Sequence, residues 1–213
     1  MTEGLLDEGE LAMLVMPQDR QAPKGRLILP QQQIIRELLD RKCRVVCCDT
    51  DTMQDALDSL KEAPKAIIAD SQVIDKVQKL KPEGTALSSF SILLAAAKGD
   101  IGYFKESAKT IDSLDGSSKV LIAEACTHVP ATEDIGRVQI PRLLRSRAGE
   151  SLQVDVVSGR DFPEDLSAYS LVIHCGACMF NRRYVMERVR QAKSQGVPMT
   201  NYGVAIAYIK KLL

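Results

Sequence analysis

Three side chains able to bind a soft metal stand within five positions of the segment IHCGAC, residues 173–178: His174, Cys175 and Cys178. A Cys-x-x-Cys taken alone reads as a redox dithiol, half of a zinc site, or part of an iron–sulfur site. The chain has two histidines, and both lie beside cysteines. His128 follows Cys126 by two positions in ACTHVP, and His174 directly precedes Cys175. The pattern is therefore C-x-H, 45 intervening residues (129 to 173), then H-C-x-x-C.

Three thiolates favour zinc or an iron–sulfur cluster. A Cys3His zinc site closes four ligands around one small ion. Two features count against it. Residues i and i+2 of an extended segment lie about 6–7 Å apart, so Cys126 and His128 reach one ion only where the backbone turns sharply. Gly176, inside the Cys-x-x-Cys, lets a bulky cluster approach the backbone. On the cluster reading, Cys126, Cys175 and Cys178 hold a 4Fe–4S cluster and leave one iron without a thiolate. His128 is the leading fourth ligand, because imidazole suits iron better than carboxylate; Glu133 and water are the alternatives. His174 orients a ligand from behind, or is a buried histidine at a strand end. Asn201 and Tyr202 follow another strand end and line the same crevice, with plain packing as the alternative for Tyr202. Cys43, Cys47 and Cys48 read as small core hydrophobes.

These residues need a frame that brings distant segments together. Period-two and 3.6-period segments alternate along the chain, which points to an α/β protein of two domains, each a mostly parallel sheet flanked by helices. LAMLVM, RVVCCD and KAIIAD read as strands. Between them lie a helix carrying Ile34, Ile35, Leu38 and Leu39, and another whose Thr52 and Asp55 suit a capping box. Val73, Ile74, Val77 and Leu80 mark a third helix. The stretch from Ile92 to Leu114 reads as helical with a break at Gly99–Asp100. Strands KVLIAEA, SLQVDVV, LVIHC and PMTNY follow, with helices within EDIGRVQIPRLLRSR, from about Phe180 to Lys193, and in GVAIAYIKKLL. The expected domains are residues 1–92 and 93–213, with no internal repeat. Cys126 and Cys175 both follow strands, and in a parallel sheet the carboxyl ends of strands face one crevice.

Bulk properties narrow the setting. The 213 residues are 45% apolar and 26% charged, and 28 Lys and Arg balance 28 Asp and Glu. Zero net charge favours neither nucleic acid nor an anionic membrane as partner. The longest apolar run, ILLAAA, is far short of the roughly 20 residues that span a bilayer, and the acidic start MTEGLLDEGE lacks a signal peptide's basic opening. The expected location is cytoplasmic, where six cysteines point to metal binding before disulfides.

CTH and HCGAC at this spacing, with APKGRLILPQQQIIRELLD, EDIGRVQIPRLLR and VPMTNYGVAIAY around them, resemble the HydF family of maturation factors for iron-only hydrogenases. The resemblance covers nearly the whole chain. It implies a dimerisation domain followed by a cluster-binding domain, with Cys126, Cys175 and Cys178 as cluster ligands and His128 and His174 as the motif histidines. It also implies a homodimer, or a tetramer, acting as a scaffold and not a turnover enzyme. Such a scaffold receives a two-iron precursor bearing CO and cyanide and delivers it to the apo-hydrogenase, alongside the radical-SAM maturases of the pathway. The family's GTPase domain needs a G-x-x-x-x-G-K-[ST] loop, and no such segment occurs here, so no GTP hydrolysis is expected. The competing expectations are an iron–sulfur electron carrier and a zinc-stabilised interaction domain.

Overall fold

Strands with helices on both faces are apolar along their whole length, whereas outer strands keep one side wet. That distinction sorts the chain. LAMLV (β1, Leu11–Val15), AIIA (β3, Ala66–Ala69) and LVIH (β7, Leu171–His174) are buried at every position, and KVLIAE (β5, Lys119–Glu124) at all but its first. RVVCC (β2, Arg44–Cys48) and QVDVVS (β6, Gln153–Ser158) have no buried position and mix exposed with half-buried ones. The computed structural model describes residues 1–18, 25–125 and 134–212, and the chain divides into two units, Met1–Leu94 and Ala95–Leu213.

The first unit is a parallel sheet of order β2-β1-β3-β4, where β4 is Ala86–Ser89. Alternation along β1 sends Ala12 and Leu14 to one face and Met13 and Val15 to the other. The first face packs Ile34 and Leu38 of α1 (Leu29–Asp40) with Phe90 and Leu93 of α4 (Phe90–Lys98). The second packs Met53 of α2 (Met53–Asp58) and Val77 of α3 (Ile74–Leu80). β4 has no counterpart in the sequence reading, because ALSS lacks the branched apolar residues that announce a strand. The capping box also fails. Thr52 sits at the start of α2, but its hydroxyl bonds the amide and carbonyl of Asp49 and caps nothing.

The second unit is a parallel sheet of order β6-β5-β7-β8, where β8 is Met199–Asn201. Its helices are α5 (Ile101–Ala108), α6 (Ile140–Ala148), α7 (Arg182–Ser194) and α8 (Tyr202–Ile209). The break between α4 and α5 falls at Gly99, where any Cβ would overlap the Phe104 ring. Asp100 then caps α5 by accepting from the Tyr103 amide at 3.0 Å. α6 is preceded by a π-helical turn, Ile135–Gln139, whose first amides, of Gly136 and Arg137, bond the Asp134 carboxylate. Both units are thus α/β, and among the described residues no helix is long and apolar enough to cross a membrane.

Candidate metal centre

In the order β6-β5-β7-β8 the chain leaves β5 toward one side of the sheet and β7 toward the other. The loops after these two neighbours diverge and leave a crevice at the switch point. The ladder pairs Ala123 with His174, so Glu124, Ala125 and Cys175 are the first residues at its rim. The Ala125 amide donates to Cys175 Sγ at 3.1 Å, and the Ala177 amide donates to the same sulfur at 3.4 Å. Two oriented N–H dipoles on one sulfur favour negative charge there. Cys178 lies half-buried in the same loop. Cys126, His128 and Glu133 lie outside the described residues. Among the described residues no three His, Cys, Asp or Glu side chains are gathered as a ligand set.

His174 is fully buried, and both of its nitrogens are engaged. Arg188 donates from a guanidinium nitrogen to Nε2 at 2.9 Å. Because arginine only donates, Nε2 is the acceptor and Nδ1 carries the proton, donating to the Cys175 carbonyl at 2.7 Å. Burial holds the imidazole down to about 4, the bond to Cys175 working against it and the Arg188 charge adding to it. No lone pair remains on this ring for a metal; its position is behind the loop. Asn201 Nδ2 donates to the same Cys175 carbonyl at 3.3 Å, while its Oδ1 accepts from the Gly203 amide at 2.9 Å and caps α8. One carbonyl is therefore pinned by two side chains from different elements. Gly176 is not the residue in the left-handed region; that is Ala177, at φ +46°.

Tyr202, the first residue of α8, reaches toward the β5 side of the crevice. A Cβ at Gly136 would overlap its hydroxyl and would lie 3.2 Å from Glu124 Oε1. The hydroxyl is shielded from solvent and finds no hydrogen-bond partner among the described residues. Burial first, then the charges of Cys175, Glu124 and Asp134, push the phenol far above its usual range, so it keeps its proton. Glu124 itself is buried and accepts from Arg137 at 3.0 Å and from Ser158 Oγ at 2.7 Å.

Three cations brace this site, and the sequence reading overlooked two of them, Arg188 and Lys98. Arg188 is 6% exposed and lies between the rings of Phe162 and Tyr184, each centroid 4.5 Å from its guanidinium carbon. It also donates to the Gly159 carbonyl at 2.6 Å and to the Tyr184 hydroxyl. Lys98 donates to carbonyls of the Cys178 loop, and Arg182 donates to the carbonyls of Ala97 and Gly99 at 3.0 and 2.7 Å. Helical periodicity could have flagged Arg188, since Val185, Arg188, Val189 and Ala192 share the inward face of α7. Nothing in the sequence marks Lys98, which ends an apolar helix like any last-turn lysine.

Comparison with protein-family models gives two matches, to the hydrogen maturase F dimerization domain over residues 1–99 and to the hydrogen maturase F tetramerization domain over residues 102–213. No curated protein matches the chain. Among solved structures, an NtrC family transcriptional regulator from Clostridium acetobutylicum is similar at 13% identity. That likeness covers 95% of this chain and 96% of the other with a TM-score of 0.28, too slight to bear on fold or function.

Proposed function

The chain belongs to the hydrogen maturase F family, which gives it a role in hydrogenase maturation, and from that premise we propose that its second unit is a 4Fe–4S cluster scaffold. Cys126, Cys175 and Cys178 are the thiolate ligands, His128 the fourth ligand and Glu133 its alternative. A cluster held this way supplies one iron whose remaining position is exchangeable. Through it the scaffold takes up a two-iron precursor bearing CO and cyanide as cargo and passes it to the apo-hydrogenase. The chain self-associates through both units and acts as a carrier, not as a turnover enzyme.

The observation that carries this reading is the pair of backbone amides aimed at Cys175 Sγ, at the rim of a switch-point crevice. Donors to sulfur suit a group whose charge is spread over thiolates and sulfides. His174 and Asn201 hold the Cys175 backbone so that its sulfur faces the crevice. Tyr202 offers a buried O–H to an acceptor in that space, and Glu124 with Arg137 closes the opposite wall.

Anaerobic reconstitution with iron and sulfide, followed by EPR of the reduced protein, tests the proposal. The expected product has about four irons per chain and a signal that changes when cyanide or imidazole is added. A product that holds zinc and shows no cluster signal overturns it. A cluster whose spectrum ignores added ligands favours an electron carrier over a scaffold.

A further inference from the structure

The loop bearing Cys175 and Cys178 is built on a joint between two helix ends. α4 terminates at Lys98, whose ammonium donates to the carbonyls of Ala177 at 2.7 Å, Cys178 at 2.8 Å and Phe180 at 2.7 Å. An ammonium has three protons to give, and all three go to this one loop. In return Arg182, at the start of α7, donates to the Ala97 and Gly99 carbonyls at the end of α4. Each element satisfies the other's carbonyls with a cation, and for Arg182 those carbonyls end α4, where a helix C-terminus favours positive charge.

Between the two cysteines the backbone passes through the left-handed region at Ala177, which is buried and carries a Cβ. An alanine keeps that conformation only where its surroundings over-determine it. Here the Ala177 carbonyl takes both the Lys98 ammonium and the Phe180 amide, the latter at 2.9 Å. Lys98 is half-buried; burial pulls its pKa down while the charges of Cys178 and Cys175 push the other way. The ammonium therefore stands within electrostatic reach of both sulfurs.

We infer that Lys98 is a positioning residue of the ligand loop: its ammonium fixes the loop carbonyls so that Cys175 and Cys178 share one side, and its charge favours the iron-bound, anionic form of that loop. The role in iron binding rests on the cluster reading above; the hold on the loop does not. Removing the charge destabilises the reduced cluster most, because that state carries one more electron beside it.

Lys98→Met keeps the stem and removes the donors and the charge, whereas Lys98→Arg keeps both. In the metal-free chain, hydrogen exchange at the Phe180 amide is expected to quicken at least tenfold in the Met variant, with β7 amides unchanged and the Arg variant near the parent. Unchanged exchange overturns the positioning role. After anaerobic reconstitution, the Met variant's one-electron equilibrium is expected to move about tenfold toward the oxidised cluster, a fall of ~59 mV. An unchanged midpoint potential overturns the electrostatic role. Should the parent chain take up no cluster, the cluster reading falls, while the exchange rates still decide what Lys98 does to the loop. If the Met variant does not fold, Lys98→Ala, which also lacks donor and charge, carries both measurements.

Discussion

The two units of this chain thread their sheets in the same order, second strand, first, third, fourth, yet furnish the resulting crevice differently. In the first unit the rim between β1 and β3 is occupied by Gln31, 2% exposed, which donates to Asp70 Oδ2 at 2.9 Å and accepts from the Ile28 amide at 3.1 Å. Its cysteines lie in or just before the neighbouring strand, where Cys48 ends β2 opposite Val15. Cys43 is buried, whereas Cys47 is exposed on the outer strand, contrary to its expected place in the core. The part of the Cys47 thiol that its neighbours shield from water is enough to raise it, and burial with the charges of Cys47 and Asp49 pushes half-buried Cys48 up to about 11. In the second unit the same rim carries a sulfur with two amide donors, pinned from behind by His174, Arg188 and Asn201. One topology thus serves a polar plug in one unit and a braced cysteine loop in the other. Sheet order offers a crevice; the residues at the strand ends decide its use.

The strongest challenge to this contrast is to exchange thiols. Cys175→Ser and Cys178→Ser are each expected to abolish stable cluster binding, while Cys47→Ser and Cys48→Ser retain the parent's iron and sulfide after reconstitution. Iron loss in a Cys48 variant would break the asymmetry. Next in size is the buried support. Arg188→Met strips His174 Nε2 and the Gly159 carbonyl of their donor and is expected to lower unfolding free energy by about 2–3 kcal/mol. Gln31→Ala, which removes one bond to the Asp70 carboxylate and one from the Ile28 amide at the equivalent rim, should cost about 1.5 kcal/mol in the same denaturant titration. Equal losses would mean that the first crevice is as heavily braced as the second.

The smallest effect concerns acid. Hydrogen bonds from Lys193 and from the Tyr103 amide hold the Asp100 carboxyl below its ordinary value, burial opposing them. A carboxylate depressed on folding contributes stability above its unfolded value near 3.9, and the contribution fades as pH falls through the folded value. Asp100→Asn keeps the cap on α5, so its melting temperature should drop less than the parent's between pH 7 and pH 3. The half-exposed ion pair limits the difference to roughly 0.5 kcal/mol. An identical acid limb in both proteins would remove Asp100 from the account.

Much of the frame was legible because fully buried parallel strands are apolar throughout and announce themselves, as LAMLV, AIIA and LVIH do. β4 was not, since an outer strand of Ala, Leu and two serines is held by its neighbour's ladder and not by its own propensity. The placement of Cys175 after a central strand followed from LVIHC alone. Its supports did not: Lys98 stands 79 to 82 positions from its acceptors, and Arg188 29 from Gly159. Single-sequence patterns report a residue's neighbours on its own element, and these bonds cross elements. The shared strand order was equally hidden, because it resides in pairing and leaves no repeat in the residues.

That pairing also orders events in time. The Ala125 amide and the sulfur it meets are 50 positions apart in the chain, and they adjoin only because β5 and β7 are paired up to Ala123 and His174. Parallel pairing across such a separation is a late, non-local step of folding. Small zinc modules, by contrast, gain their folding free energy from the metal itself. On the proposed scaffold reading, the Cys175 loop is set by a sheet whose pairing needs no metal, and folding would precede loading. A scaffold of the proposed kind, held by its sheet and not by its cargo, could then be filled more than once.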